Sequence, residues 1–266
     1  MFSASHRRLY APLSRKIHSL RTAGLPEGFK VFPEFLSVPE QRILLSAALT
    51  KLDSTETRQA RKQQRNFLAK HPQEHRTIED IFLPDAYYNF QEGHYDGVIR
   101  HYREMHLTSW SEDHNPGLSL ILARLQGLYP TPNIQTHLLH LSSEGEILGH
   151  VDNIEASGSW ILGVSLGAGR ILRMESTSDP EDSFEVLLGS GSVYLQMQVL
   201  SVCVELEAKS SSRDRVRYEY KHSVLKAGIK AGQRVSVMVR VSGLFFADMT
   251  HNIPSRSGPK GSTQMS

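Results

Sequence analysis

The stretch GHVDNIEASGSWILGVSLG, residues 149–167, joins a candidate metal motif to a β-rich run. Its second half, SWILGVSLG, is short, apolar and ends on glycine, as a buried strand would. Four more runs of the same texture surround it: IQTHLLHLS before it, then RILRMES, FEVLLGSGSVYLQMQ and RVSVMVRVSG after it. Gly, Ser, Asp and Pro separate them. Closely spaced short strands after a helical first half predict an α+β fold with a β-sandwich or jelly-roll core buttressed by N-terminal helices.

Working outward, the N-terminal half supplies those helices. Ser37 and Glu40 have the S-x-x-E spacing of a capping box, with Pro39 in the first turn. Ile43, Leu44, Ala47 and Ala48 follow with helical periodicity, which predicts an amphipathic helix. Residues 54–80 are rich in Arg, Gln and Glu and read as a solvated helix or mobile segment. Asn115-Pro116-Gly117 is a turn signal; LSLILARLQGLY after it reads as a helix stopped by Pro130 and Pro132. Residues 85–114, rich in Tyr and His, give no clear period. A partly exposed helix is the expectation around His94, Tyr95, Asp96, His101 and Tyr102, with the lining of a substrate entrance as the alternative. Trp110 and Trp160 are expected as core anchors.

The chain has 266 residues, 39% hydrophobic and 22% charged, enough to bury a sizeable core. No apolar run is long enough to cross a bilayer. Cys203 is the single cysteine, so no internal disulfide framework exists. The net charge of +2 is unevenly placed. Residues 1–26 carry Arg7, Arg8, Arg15, Lys16 and Arg21 and no acid, the composition of a mitochondrial transit peptide. Without that segment, 25 basic residues face 28 acidic ones, a balance of −3. Such a surface lacks the broad positive field of a strong nucleic-acid binder and disfavours DNA as a partner. The Gly/Ser/Pro-rich tail, 251–266, is expected to be disordered.

In GHVDN, His150 and Asp152 are two residues apart. On an extended segment they project to one side and can converge on one ion. A second imidazole would complete a two-His-one-carboxylate set, which leaves open positions on iron(II). A lone H-x-D is weak, and His94-Tyr95-Asp96 is another. Three features favour the later pair. His222 lies several strands downstream. Arg234 and Arg240 are six apart, so in one strand both face the same way as Ser236 and Met238. Two inward guanidiniums need an anion, and a dicarboxylate matches their planar fork. Tyr194, in the strand region before His222, could hydrogen-bond the same carboxylate.

The ordered set H-x-D, Tyr, distal His and R-x-x-x-x-x-R resembles the AlkB-homologue family of iron(II)/2-oxoglutarate dioxygenases, most of all its mitochondrial branch. The resemblance spans roughly 27–245, within a domain drawn at 27–250, and includes PGLSLILARLQ and YNFQEGHYDGVIRHYREM. It implies a double-stranded β-helix core, with His150, Asp152 and His222 as iron ligands and catalytic residues. It implies Tyr194, Arg234 and Arg240 as the 2-oxoglutarate site. His137 has a counterpart in the family without an assigned role. The implied reaction uses O2, converts 2-oxoglutarate to succinate and hydroxylates or N-demethylates a protein, RNA or metabolite. The alternative is a weakly active or non-catalytic 2-oxoglutarate-binding regulator of mitochondrial metabolism or cell death, acting through protein contacts. Localisation in the mitochondrial matrix is implied. The chain departs from the family at VLSVCVELEAKSSS (199–212), an insertion that reads either as a surface loop or as translated intron.

Overall fold

A computed structural model describes residues 25–71, 77–110, 117–153, 158–179, 181–198, 219–226 and 232–241. The expectations for a transit peptide, for the 199–212 insertion with Cys203 and for the C-terminal tail lie outside these residues, apart from 25 and 26 of the first.

Ten strands form one curled antiparallel sheet: β1 (Phe29–Phe32), β2 (Gln91–Gly93), β3 (Ile99–Leu107), β4 (Ile134–His150), β5 (Trp160–Gly167), β6 (Arg170–Ser176), β7 (Ser183–Leu188), β8 (Val193–Met197), β9 (Tyr220–Lys226) and β10 (Arg234–Val241). Their order is β1-β8-β5-β10-β4-β9-β6-β7, with β3 also on β4 and β2 on β3. β4 is the pivot. Its first half, Ile134–Leu141, pairs with β10, whereas Ile147 and His150 pair with β9. One strand therefore belongs to two layers, and the sheet folds over on itself into a double-stranded β-helix.

The first β-rich run ends at Ser142 by its sequence texture, but the strand continues through SSEGEILGH to His150. Gly145 permits this. A Cβ there would stand 2.7 Å from the His101 carbonyl and 2.9 Å from Leu141 Cβ, so only glycine lets β3 follow β4 through the bend. His101 takes a positive φ of 48° at the matching register shift in β3.

Two apolar cores divide the molecule. The outer face of the larger layer presents Leu162, Val164, Leu166, Val235, Val237 and Val239 to two helices. These are α1 (Val38–Ser54), through Leu44, Leu45, Ala48 and Leu52, and α3 (Leu118–Gln126), through Leu118, Ile121 and Leu125. The capping box at Ser37 is formed: Glu40 accepts from both the Ser37 backbone N–H and its hydroxyl at 2.8 Å. Trp160 is buried and Trp110 packs against this core. The second core fills the space between the layers, with Phe29, Leu139, Leu141, Leu172, Met174 and Val224 among its members. α2 (Arg58–Lys70) is the solvated helix of the charged segment. The region around His94–Tyr102 is a correction: it forms the β2–β3 hairpin rather than a helix. Its Tyr102, Glu104 and His106 alternate inward at period two, a pattern hidden by their polar character.

A candidate metal centre and a buried arginine

His150 ends β4 and faces His222 of β9 in direct register, their rings 4.1 Å apart. Asp152 follows two residues later, just beyond the strand end. Its Oδ1 lies 3.5 Å from His150 Nε2 and 3.7 Å from His222 Nε2. The three ligand atoms are all within 4.8 Å of one another, the only such group among the described residues. His150 Nδ1 donates to the Leu148 carbonyl at 3.0 Å, which leaves Nε2 on the side of Asp152. Burial opposes protonation of His150, but Asp152 and the Leu148 carbonyl outweigh it and raise the pKa above the ordinary value. Two imidazole nitrogens and one carboxylate oxygen on one side fit a divalent iron with open positions opposite.

Arg234 lies on the inward face of β10 with Ser236, Met238 and Arg240, as the six-residue spacing anticipated. It is only 1% exposed, and its Nε donates to Ser165 Oγ at 3.0 Å. Burial lowers its pKa to about 10; Tyr194 acts against this and Arg170 adds to it. No described carboxylate lies within ion-pair distance of Arg234.

Arg103, also buried, shows the usual solution. It donates to Asp53 at 2.7 Å, to Glu56 at 3.1 Å and to His140 Nδ1 at 2.9 Å, and its guanidinium lies over the Tyr88 ring. Burying an unmatched cation is costly, so Arg234 could receive an anion.

Tyr194 lies across Gly163: a Cβ there would fall 2.3 Å from the ring and 2.6 Å from its hydroxyl. Arg240 is half-buried at the other end of β10, close enough to His106 to disfavour its protonation. The wall beside it includes His106 stacked on His137 at 4.5 Å, and Glu104 3.0 Å from His137 Nε2. That contact keeps the Glu104 carboxyl below the usual range.

His94 and Asp96, the competing H-x-D, pair with each other at 2.9 Å in the hairpin. They form no three-ligand group among the described residues. Asp96 and His150 are close enough to stabilise each other's charge.

The sequence reading missed Glu104, His106 and Arg170. For Arg170 a signal existed. In RILRMES, alternation places Arg170 with Leu172 and Met174, and an arginine on an apolar stripe is the anomaly.

A family model described as 2OG-Fe(II) oxygenase superfamily matches residues 28–198. The chain belongs to this superfamily. It is 30% identical over 159 residues to the alpha-ketoglutarate-dependent dioxygenase alkB homolog 7, mitochondrial, of Bos taurus, and 27% identical to that of Mus musculus. Each alignment covers 57% of this chain and 65% of the relative, so the chain spans just under two thirds of the relatives it matches. Similar solved structures include OsALKBH1, at 14% identity and TM-score 0.43, covering 80% of this chain and 97% of that one. A Pseudomonas putida prolyl-4-hydroxylase matches at 12% identity and TM-score 0.42, covering 81% and 92%. No described helix is long and apolar enough to cross a membrane.

Proposed function

We propose that this superfamily member is an iron(II)- and 2-oxoglutarate-dependent dioxygenase, a hydroxylase or N-demethylase acting on a protein, RNA or metabolite in mitochondria. The observation that carries the reading is Arg234. It is a buried guanidinium without a described carboxylate partner, on the inward surface that also bears the His150–Asp152–His222 group. Two carboxylates on one small molecule satisfy both ends: one at the metal, one on the arginine fork. The acid-free basic N-terminus and the names of the mitochondrial relatives support the compartment.

In this reading His150, Asp152 and His222 hold iron(II), and the proton on His150 Nδ1 keeps the ring oriented through the Leu148 carbonyl. Arg234 anchors the distal carboxylate of 2-oxoglutarate, Tyr194 gives it a hydroxyl, and Arg240 lies toward the open end. Leu139, Leu141 and Met238 line the space between and limit water. Bound iron, with 2-oxoglutarate and O2, supplies the oxidising power for substrate C–H hydroxylation.

Anaerobic titration with iron(II) and then 2-oxoglutarate tests this. The visible charge-transfer band of the chelate should appear in the wild type and vanish in His222→Ala. Arg234→Ala should raise the 2-oxoglutarate requirement at least about tenfold, the loss of a charge-assisted bidentate pair. A band of wild-type strength in His222→Ala refutes the ligand set.

A further inference from the structure

Arg170 faces the space between the layers, beside the residues that lead into Arg234, and enters none of the roles above. It opens β6, on the face that carries Leu172 and Met174 toward the space between the layers. Its solvent exposure is 0%, lower than that of Arg234. Its Nη2 donates to the Gly232 carbonyl at 2.7 Å, two residues before Arg234, and reaches the Ser142 carbonyl at 3.4 Å. Nη1 lies 3.4 Å from the Gly169 carbonyl. Nε is buried without a hydrogen-bond partner. No described carboxylate forms an ion pair with it; Glu144, the acid that influences it, is itself exposed and paired with Lys226.

Two buried guanidiniums thus approach from opposite layers, Arg170 from β6 and Arg234 from β10. Arg170 disfavours the charge on Arg234, an arrangement that costs free energy unless an anion lies between or beside them. The described inward carboxylates, Glu104 and Asp152, belong to the other end, where His137 and the metal ligands engage them. Arg170 and Arg234 thus form a buried cationic end, whereas Glu104, Asp152 and the half-buried Arg240 lie toward the other end, where both signs of charge are present.

We propose that Arg170 is a second cation of the co-substrate anchor, a positioning residue that makes the pocket select a 2-oxo acid with a charged far end. Its carbonyl bonds hold the turn leading into Arg234, and its charge adds to the field that the distal carboxylate meets. This rests on the reading of Arg234 as the anchor and goes beyond it by assigning selectivity to a residue on the opposite layer.

The test uses the full chain loaded with iron(II) under nitrogen, with binding followed by calorimetry. Two probes are compared: 2-oxoglutarate, and 2-oxopentanoate, which has the same chain length and chelating head but no distal carboxylate. Arg170→Gln is expected to weaken 2-oxoglutarate about tenfold and leave 2-oxopentanoate within about twofold. Arg170→Lys retains the charge without the fork and should keep the preference within about threefold. It also serves if the Gln variant does not fold. Equal losses for both probes would mean a structural plug and overturn the proposal, as would no loss for either, or loss of the preference in Arg170→Lys. Arg234→Gln separates the two readings. Unchanged 2-oxoglutarate affinity there overturns the anchor and Arg170 with it; a loss there but none in Arg170→Gln overturns Arg170 alone.

Discussion

Gly163 shows how a single residue shapes the pocket. It is opposite Tyr194 on β8 and Met238 on β10, and the tyrosine ring occupies the volume that a side chain would take. Gly163→Ala must push the ring away, because a Cβ cannot remain 2.3 Å from an aromatic carbon. A cost of about 1–3 kcal/mol is expected from overpacking of this kind. The displaced Tyr194 hydroxyl should also weaken 2-oxoglutarate binding several-fold. Paired measurements of the denaturant midpoint and of 2-oxoglutarate affinity check this; an alanine variant with both unchanged contradicts the close approach.

Among the elements, β4 carries different chemistry on its two sides. Inward it presents His137 and Leu139; outward it presents His140, fully buried against the rings of Phe82, Tyr88 and Phe90. Arg103 Nε donates to His140 Nδ1, so the ring proton is on Nε2, which donates to Gln233 Oε1 at 2.9 Å. Gln233 then donates to the Leu83 carbonyl. Every position is filled by a neutral imidazole, and burial with the Arg103 charge holds the pKa well below the ordinary value. In the unfolded chain a histidine protonates near pH 6.5. Below that pH the unfolded state takes up a proton that the folded state refuses. The stabilising contribution is therefore complete above about pH 6.5 and is lost as the pH falls toward the folded pKa, at up to about 1.4 kcal/mol per pH unit. His140→Gln can keep one donor and one acceptor but has no such titration. Its thermal midpoint should fall less than that of the wild type between pH 7.5 and pH 5.5; parallel pH profiles would show that His140 is not held neutral.

For the whole molecule, the proposed site would couple ligand binding to the closure of the two layers. In that reading the ligands come from β4, the residues just after it and β9, and the cations from β6 and β10, so a bound metal and dicarboxylate would link four strands. Any ligand that binds only the folded state stabilises it, by about 2.7 kcal/mol at one hundred times its dissociation constant. For a chain of this size that corresponds to a rise of roughly 5–10 °C in the thermal midpoint. Manganese(II), a redox-inert stand-in for iron(II), should give this rise together with 2-oxoglutarate. His222→Ala should lose the metal-dependent part, and an equal shift in that variant counts against the site.

Much of this protein was legible along the chain. The capping box announced α1, the short β-rich runs announced the layered sheet, and the even spacing of Arg234 and Arg240 put both on one face, because strand and helix periods are local properties of the backbone. The H-x-D motif and a distal histidine nominated the metal group. Other features depend on partners distant in sequence. The grouping of His150 and Asp152 with a third candidate ligand, which His94 and Asp96 lack among the described residues, depends on the register of His150 against His222, which only pairing of β4 with β9 creates. The β2–β3 hairpin was hidden because its inward face mixes Tyr102, which joins the second core, with the polar Glu104 and His106 and so shows no apolar alternation. Arg170 gained its meaning from the strand that faces it. Local periodicity follows from covalent geometry, whereas the meeting of opposed charges follows from how the layers close.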